Sequence, residues 1–299
     1  MPAPSPPLRI AILGVGKIGS AFAFQLARAG HEVTVIARPG SLRLAQLERD
    51  QAIVDVGGAR AAVRVAGGLD EAAAYDLTVV TLLAHQAEAL LPALARSAAG
   101  CVQFMFNTFQ PERLEAAVGA GRCAFGMPFV QATLDGEGRL KATIGAGGQR
   151  TIMSEQRWVD VFDAAGLPAA LEPRTALWLR CHVAFCVAFE SVSVAGMRRG
   201  GGASWGEAMG LARGVHACFA LVKAQGYEVY PAAKRRIDGS PAWVMAAMLW
   251  GMSRVRSFRE LLAGGRDEAV ALVDVVVAAA VSGGATPGVA AAIEAMRPG

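Results

Sequence analysis

The chain lacks a CxxC cysteine pair. Cys101, Cys123, Cys181, Cys186 and Cys218 form no CxxC motif, and their odd number and wide spacing argue against a disulfide framework or a structural zinc site. Reduced, mostly buried thiols are expected, and no metal centre. Charge is also sparse, at 18% of residues with a net +4. The basic pairs and triplets, Arg198-Arg199 and Lys234-Arg235-Arg236, read as solvated faces. No aromatic residues interleave with them, so nucleic acid is not an expected partner. The mild positive balance suits an anionic cofactor and an anionic small-molecule substrate. Near the C-terminal end the longest apolar run, residues 269–281, contains Asp274 and is too short to span a bilayer. Met1 to Pro7 has neither the charged segment nor the apolar core of a secretory signal. A soluble cytoplasmic protein with no membrane partner is expected.

What the chain does have is apolar bulk, 54% of its residues, and enough length for two domains. Its most informative feature is Ile10-Ala11-Ile12-Leu13-Gly14-Val15-Gly16-Lys17-Ile18-Gly19. An apolar strand ends at Gly14 and an amphipathic helix starts just beyond it. This is the sequence pattern of a turn that holds a dinucleotide pyrophosphate. Gly14 permits the tight turn, Gly16 leaves space for the phosphates, and Gly19 lets the helix approach the sheet. The free N–H groups and the dipole of the helix then face the negative charge. Lys17 and Ile18, inside the turn, count among the cofactor-binding candidates. A second strand, residues 31–37, leads to Arg38. No carboxylate stands there to repel a 2′-phosphate, and Arg38 offers a guanidinium fork to bind it, which favours NADPH over NADH. A solvated surface arginine is the alternative reading.

Strand and helix signals alternate over about the first 170 residues. Helices are expected over 19–30, 41–50, 86–97, 114–118 and 157–165, a hairpin over 54–65, and core strands over 77–83, 101–106, 123–130 and 139–145, with a turn at 135–138. The pattern then changes to helices at 174–197, 205–225, 241–250 and 266–281. The expected fold is α/β: an amino-terminal Rossmann domain with a parallel sheet, residues 1–170, followed by an all-helical domain, residues 171–299, with the boundary near 168–174. The helical half offers apolar surface for a possible homodimer.

Several residues stand where site chemistry collects. Asn107 ends an apolar strand, where its amide can hold a carboxamide or a water, or simply form a turn. His85 and Gln86 follow the open end of the third core strand. His182 and Glu190 lie on the long helix, with a satisfied core histidine and a structurally paired glutamate as the alternatives. Arg180 and His182 point in quite different directions on that helix. His216 and Lys223 read as a surface pair. Trp178, Trp205, Trp243 and Trp250 are core or interface candidates, and Met245, Met248 and Met252 form an ordinary packing stripe.

Together these features resemble the ketopantoate reductase (2-dehydropantoate 2-reductase) family over nearly the whole chain. The resemblance rests on the glycine turn, Arg38, Thr81-Leu82-Leu83-Ala84-His85-Gln86, Asn107, Arg174-Thr175-Ala176-Leu177-Trp178 and Thr286-Pro287. It implies reduction of a 2-keto acid with NADPH in a cleft between a Rossmann and a helical domain. It also brings out departures. Leu83 replaces a usual lysine at a cofactor-binding position, and Asn107-Thr108 replaces Asn-Gly. The catalytic lysine position falls on Arg180, and two expected asparagines fall on Ala184 and Ala188. The late serine and glutamate fall near Ala247 and Asp267. An arginine can orient an oxygen anion but is a poor proton donor, so His182 or water would have to supply the proton. The alanines are expected to leave room beside the nicotinamide. The expected function is an NADPH-dependent reductase of a carbonyl or related unsaturated substrate other than ketopantoate, with Arg180, Asn107, His182 and Glu190 as catalytic candidates. Two alternatives stay open: ketopantoate reduction through a rearranged site, and a catalytically silent NADP-binding or sensor protein.

Overall fold

A computed structural model describes residues 6–299. The signal-sequence reading of Met1 to Pro7 therefore falls largely outside the described residues. By contacts the chain separates into two units. The first holds the chain up to Phe106 together with Glu112–Thr175; the second holds Asn107–Pro111 and Ala176–Gly299.

The first unit runs β1 (Arg9–Leu13), α1 (Lys17–Arg28), β2 (Glu32–Ile36), α2 (Leu42–Asp50), β3 (Ala52–Val54), β4 (Arg60–Ala62), β5 (Arg64–Ala66), β6 (Leu77–Val80), α3 (Ala84–Glu88), α4 (Leu91–Arg96), β7 (Val102–Phe104), α5 (Pro111–Val118), β8 (Cys123–Met127), β9 (Val130–Leu134), β10 (Leu140–Ile144), β11 (Thr151–Met153), α6 (Gln156–Ala164) and β12 (Ala169–Leu171). Eight strands form one sheet in the order β12-β11-β8-β7-β6-β1-β2-β5. Every neighbouring pair is parallel except β11 with β8. The central strands read as unbroken apolar runs because both faces of a parallel sheet are covered. Ile10 and Ile12 are fully buried with Phe22 and Leu26 of α1, and Phe22 meets Phe162 of α6 edge-on at 5.1 Å. This is the expected Rossmann-like sheet.

Several local details depart from the sequence reading. The helix expected over 86–97 is two short helices, α3 and α4. Pro92 stands in the first turn of α4, where its missing N–H costs nothing, and so opens a new helix. The hairpin expected over 54–65 pairs β3 with β4 and stops there; Val65 belongs to β5, which runs parallel to β2 in the main sheet. Two three-residue strands, β11 and β12, carry too few positions to show a period, and β12 lies inside the stretch read as a boundary.

The second unit is helical: α7 (Thr175–Arg198), α8 (Trp205–Ala224), α9 (Ala232–Asp238), α10 (Ala242–Met252), α11 (Arg256–Leu262), α12 (Arg266–Ser282) and α13 (Pro287–Glu294). The short helices α9, α11 and α13 were not expected; at seven or eight residues their periodicity is faint. The core joins Val183, Val187 and Val192 of α7 to Val215, Phe219 and Val222 of α8, with Met245 and Leu249 of α10 and Leu272 and Val276 of α12. Helix α7 has the length and apolarity of a membrane span, and 78% of its most apolar stretch is buried inside the protein, as befits a central core helix. Of the five tryptophans, Trp158 and Trp178 are buried, whereas Trp205, Trp243 and Trp250 are exposed.

Candidate active-site residues

In the first unit, β1 runs straight into the glycine turn. Gly14 adopts φ +92°, which disfavours any side chain, and a Cβ there would come within 2.7 Å of Leu82. A Cβ on Gly19 would strike the carbonyl oxygen of Gly14 and the Thr81 hydroxyl, so α1 can approach the sheet only through glycine. The Thr81 hydroxyl donates to Gly14 O at 2.6 Å and fixes the turn from β6. Gly16 differs: a Cβ there would meet nothing within 4 Å. The protein's own packing does not require glycine at this position, so the gap suits a group from outside the protein. Gly16 is also the N-cap of α1, with no side-chain cap and no acidic residue in the first turn. The leading amides of α1 are thus left for an anion, and this cradle fits a pyrophosphate.

The other cofactor candidates take different positions. Lys17 is exposed and Ile18 half-buried in the first turn of α1. Arg38 is exposed beyond β2, and its guanidinium makes no hydrogen bond or ion pair among the described residues. Leu83 is the N-cap residue of α3, and Gln86 accepts a hydrogen bond from its N–H at 3.3 Å, so Gln86 caps a helix. His85 stays exposed. Sequence reasoning missed Arg43. Its guanidinium donates to Val15 O at 3.0 Å, Ser20 Oγ at 2.9 Å and Gly138 O at 2.9 Å, clamping the turn from α2. Nothing in the pattern of an amphipathic helix marks that arginine.

In the second unit, polar groups gather along one ridge of α7: Trp178, His182, Cys186 and Glu190, spaced four residues apart. The buried Asn107 side chain donates from Nδ2 to Glu268 Oε1 at 2.8 Å and accepts at Oδ1 from the Cys186 thiol at 3.1 Å. Glu190 is 8% exposed, and its Oε2 has no hydrogen-bond partner among the described residues. Burial first, then the nearby Glu268 carboxylate, pushes the Glu190 carboxyl up to about 9. Burial, with Glu190 and Glu268 adding to it, also raises the Cys186 thiol well above its ordinary value. At the other end of the ridge, the Trp178 and His182 rings lie 4.2 Å apart, tilted by 32°. Lys234, from α9, places its ammonium 4.0 Å from the centre of the Trp178 ring and donates to Trp178 O at 2.9 Å. Burial, aided by the Lys234 charge, pulls the His182 imidazole down to about 3.

Arg180 points elsewhere, as the helical angle requires. Its guanidinium lies 4.2 Å from the Tyr227 ring centre and 5.4 Å from that of Phe109, and it donates to Gln225 Oε1 at 3.0 Å. The structure therefore groups three of the four catalytic candidates, Asn107, His182 and Glu190, around the α7 ridge and turns Arg180 away from it. It corrects other expectations. Ala184 and Ala188 pack into the helical core. Glu268, not Asp267, meets Asn107; Asp267 is almost fully exposed. Lys234 is buried although its neighbours Arg235 and Arg236 are not, because the triplet winds around a helix with one face inward. Lys223 pairs with Asp238 at 2.9 Å rather than with His216.

These features define a protein with a Rossmann-like domain followed by a helical unit. Residues 10–156 match the family model for ketopantoate reductase PanE/ApbA. Solved structures of similar fold include a PanE/ApbA family ketopantoate reductase from Ralstonia eutropha JMP134, at 19% identity and TM-score 0.69, with 96% of each chain covered. Another is D-mandelate dehydrogenase with NADH and anilino(oxo)acetate, at 15% identity and TM-score 0.68, with 96% of each chain covered. A third is 2-dehydropantoate 2-reductase from Porphyromonas gingivalis W83, at 15% identity and TM-score 0.65, covering 96% of this chain and 98% of that one. No curated protein matches the sequence.

Proposed function

We propose that this chain is an NADPH-dependent reductase of a 2-oxo acid or related carbonyl compound other than ketopantoate. The observation that carries this reading is the open volume at Gly16 at the uncapped start of α1, where the protein's own atoms leave room for a pyrophosphate. The similar folds named for D-mandelate, a 2-hydroxy acid, and for 2-dehydropantoate, a 2-oxo acid, support the substrate class. When bound, a reduced nicotinamide supplies a hydride to an electrophilic carbon. The amides of residues 14–19 hold the phosphates, and Arg38 meets the 2′-phosphate. The cationic Arg180 and Lys234, both buried in the helical unit, favour an anionic substrate. His182, neutral at any pH well above 3, is a hydrogen-bonding and stacking group and not the acid.

A second reading is a nucleotide-binding protein without turnover. It is favoured by the full engagement of Arg180 by Tyr227, Phe109 and Gln225. One experiment separates the two. Purified protein is titrated with NADPH by fluorescence, then assayed for NADPH consumption against 2-oxo acids, ketones, imines and ketopantoate. Binding with turnover of a non-ketopantoate carbonyl is expected. Binding without turnover supports the second reading. Absence of binding at high micromolar NADPH sinks both.

A further inference from the structure

We propose that Glu190 is the hydrogen-bond donor of the substrate site, a carboxylic acid that presents its proton to a carbonyl or carboxylate oxygen of a 2-oxo acid. This rests on the substrate class proposed above and assigns a residue to it. The geometry is that of a held, unsatisfied group. Glu190 sits in the middle of α7, and its Oε2 is buried without a partner among the described residues. A polar atom in that state is costly unless a ligand completes it. The carboxyl is also seated. A Cβ at Gly265, just before α12, would come within 2.5 Å of Glu190 Cδ and Oε1, so the chain keeps a glycine where the carboxyl lies.

The neighbours are already satisfied. Cys186 gives its hydrogen to Asn107 Oδ1, and Asn107 gives its own to Glu268 Oε1. Glu190 Oε2 is the polar atom of this chain of contacts that is left over. The titratable groups facing it are Cys186 from its own helix and Glu268 from α12, while Lys234 from α9 acts on Cys186. Burial, with the Glu268 carboxylate adding to it, keeps the protons on Cys186 and Glu190 near neutral pH, so Glu190 has a hydrogen to offer to an oxygen. Among the candidates read from the sequence, Asn107 has its amide engaged at both ends and Arg180 is turned toward Tyr227, Phe109 and Gln225, whereas Glu190 Oε2 is buried with no partner among the described residues.

Two measurements test this. Infrared difference spectra of the protein alone, taken from neutral pH to above pH 9, should lose a protonated-carboxyl band that is absent from Glu190→Gln. Anilino(oxo)acetate binding is then measured on protein loaded with reduced cofactor. Glu190→Gln, whose amide can still donate, should bind within about threefold of wild type and lose the fall in affinity above pH 9. Glu190→Ala should bind about tenfold to a hundredfold more weakly. A carboxylate signature for Glu190 at neutral pH, unchanged affinity in Glu190→Ala, or benzylamine binding with proton release would overturn the proposal. The infrared arm needs no nucleotide, so failure of cofactor binding, measured on the same samples, counts against the proposed function alone.

Discussion

Asn107 donates from Nδ2 to Glu268 Oε1 at 2.8 Å, across 161 positions of sequence. The same side chain takes the Cys186 hydrogen at its other end, so one amide ties the 107–111 segment to both α7 and α12. Replacing it removes one hydrogen bond from the half-buried Glu268 carboxylate and one from the Cys186 thiol. Asn107→Ala should cost about 1–3 kcal/mol in denaturant unfolding. Asn107→Asp should cost more at pH 8, because it adds a carboxylate beside Glu268 and Glu190, and should recover on acidification. Equal losses for both variants at all pH values would show that the amide is not a charge-sensitive tie.

The three glycines of the turn should separate by experiment. Gly19→Ala forces a collision with the Gly14 carbonyl and the Thr81 hydroxyl, so it should lower stability by more than about 2 kcal/mol and abolish nucleotide binding. Gly16→Ala meets only open space in the protein, so stability should change by less than about 0.5 kcal/mol. Its NADPH affinity should nevertheless fall by at least about tenfold, which is a loss of about 1.4 kcal/mol. Paired thermal melts and fluorescence titrations read both. A Gly16→Ala protein with unaltered affinity would remove the phosphate from that position.

Arg38 stands exposed without a partner among the described residues, so its removal should leave folding unchanged. Arg38→Ala should weaken NADPH binding by about tenfold or more while leaving NADH nearly untouched, since a charge-assisted contact to the 2′-phosphate is worth about 1.5–3 kcal/mol. Equal effects on the two cofactors would assign Arg38 to the surface.

Glu190 should impose a slope on stability against pH. Its carboxyl is raised from an ordinary 4.5 to about 9 in the folded chain. The unfolded chain therefore gives up this proton first. Stability from this group is full below about pH 4.5 and is lost progressively as pH rises through 9. Glu190→Gln should match wild type near pH 4 and exceed it by at least about 2 kcal/mol at pH 8. Unfolding curves at several pH values check the crossing; parallel curves would contradict it.

His182 runs in the opposite sense. Its imidazole is lowered from 6.5 to about 3, so the unfolded chain binds the proton first and stability falls as pH drops from about 6.5 toward 3. Lys234→Met removes the charge that adds to this shift. The NMR titration of His182 should then move to higher pH, with the Trp178 carbonyl losing its ammonium donor. An unmoved His182 would place Lys234 too far away to act.

The sequence made the framework legible where signals are repetitive or steric. The buried runs of β1, β2 and β6, the glycines of the turn and the long periods of α7, α8 and α12 each repeat one physical demand over many residues. Short elements escaped because a three-residue strand such as β12 or a seven-residue helix such as α9 has no period to count. The candidate site was legible only in part for a similar reason. Asn107, His182 and Glu190 could be picked out as polar groups on apolar elements, but their shared neighbourhood depends on packing. Lys234 looked like one of three surface charges until α9 turned it inward, and Glu268 meets Asn107 while the neighbouring Asp267 faces solvent, because one step along a helix turns a side chain by about 100°. Ala184 and Ala188, where the resemblance puts two polar positions, lie on the core face of α7, two positions from the polar ridge.

The Arg43 clamp also bears on the order in which the molecule can be made. One guanidinium grips Val15 and Ser20 near the start of the chain and Gly138 in the turn between β9 and β10. A nascent chain emerging from a ribosome has β1 and α1 in hand long before it has Gly138. The loop at its beginning is thus completed only after a much later stretch has been synthesised and has folded back onto it.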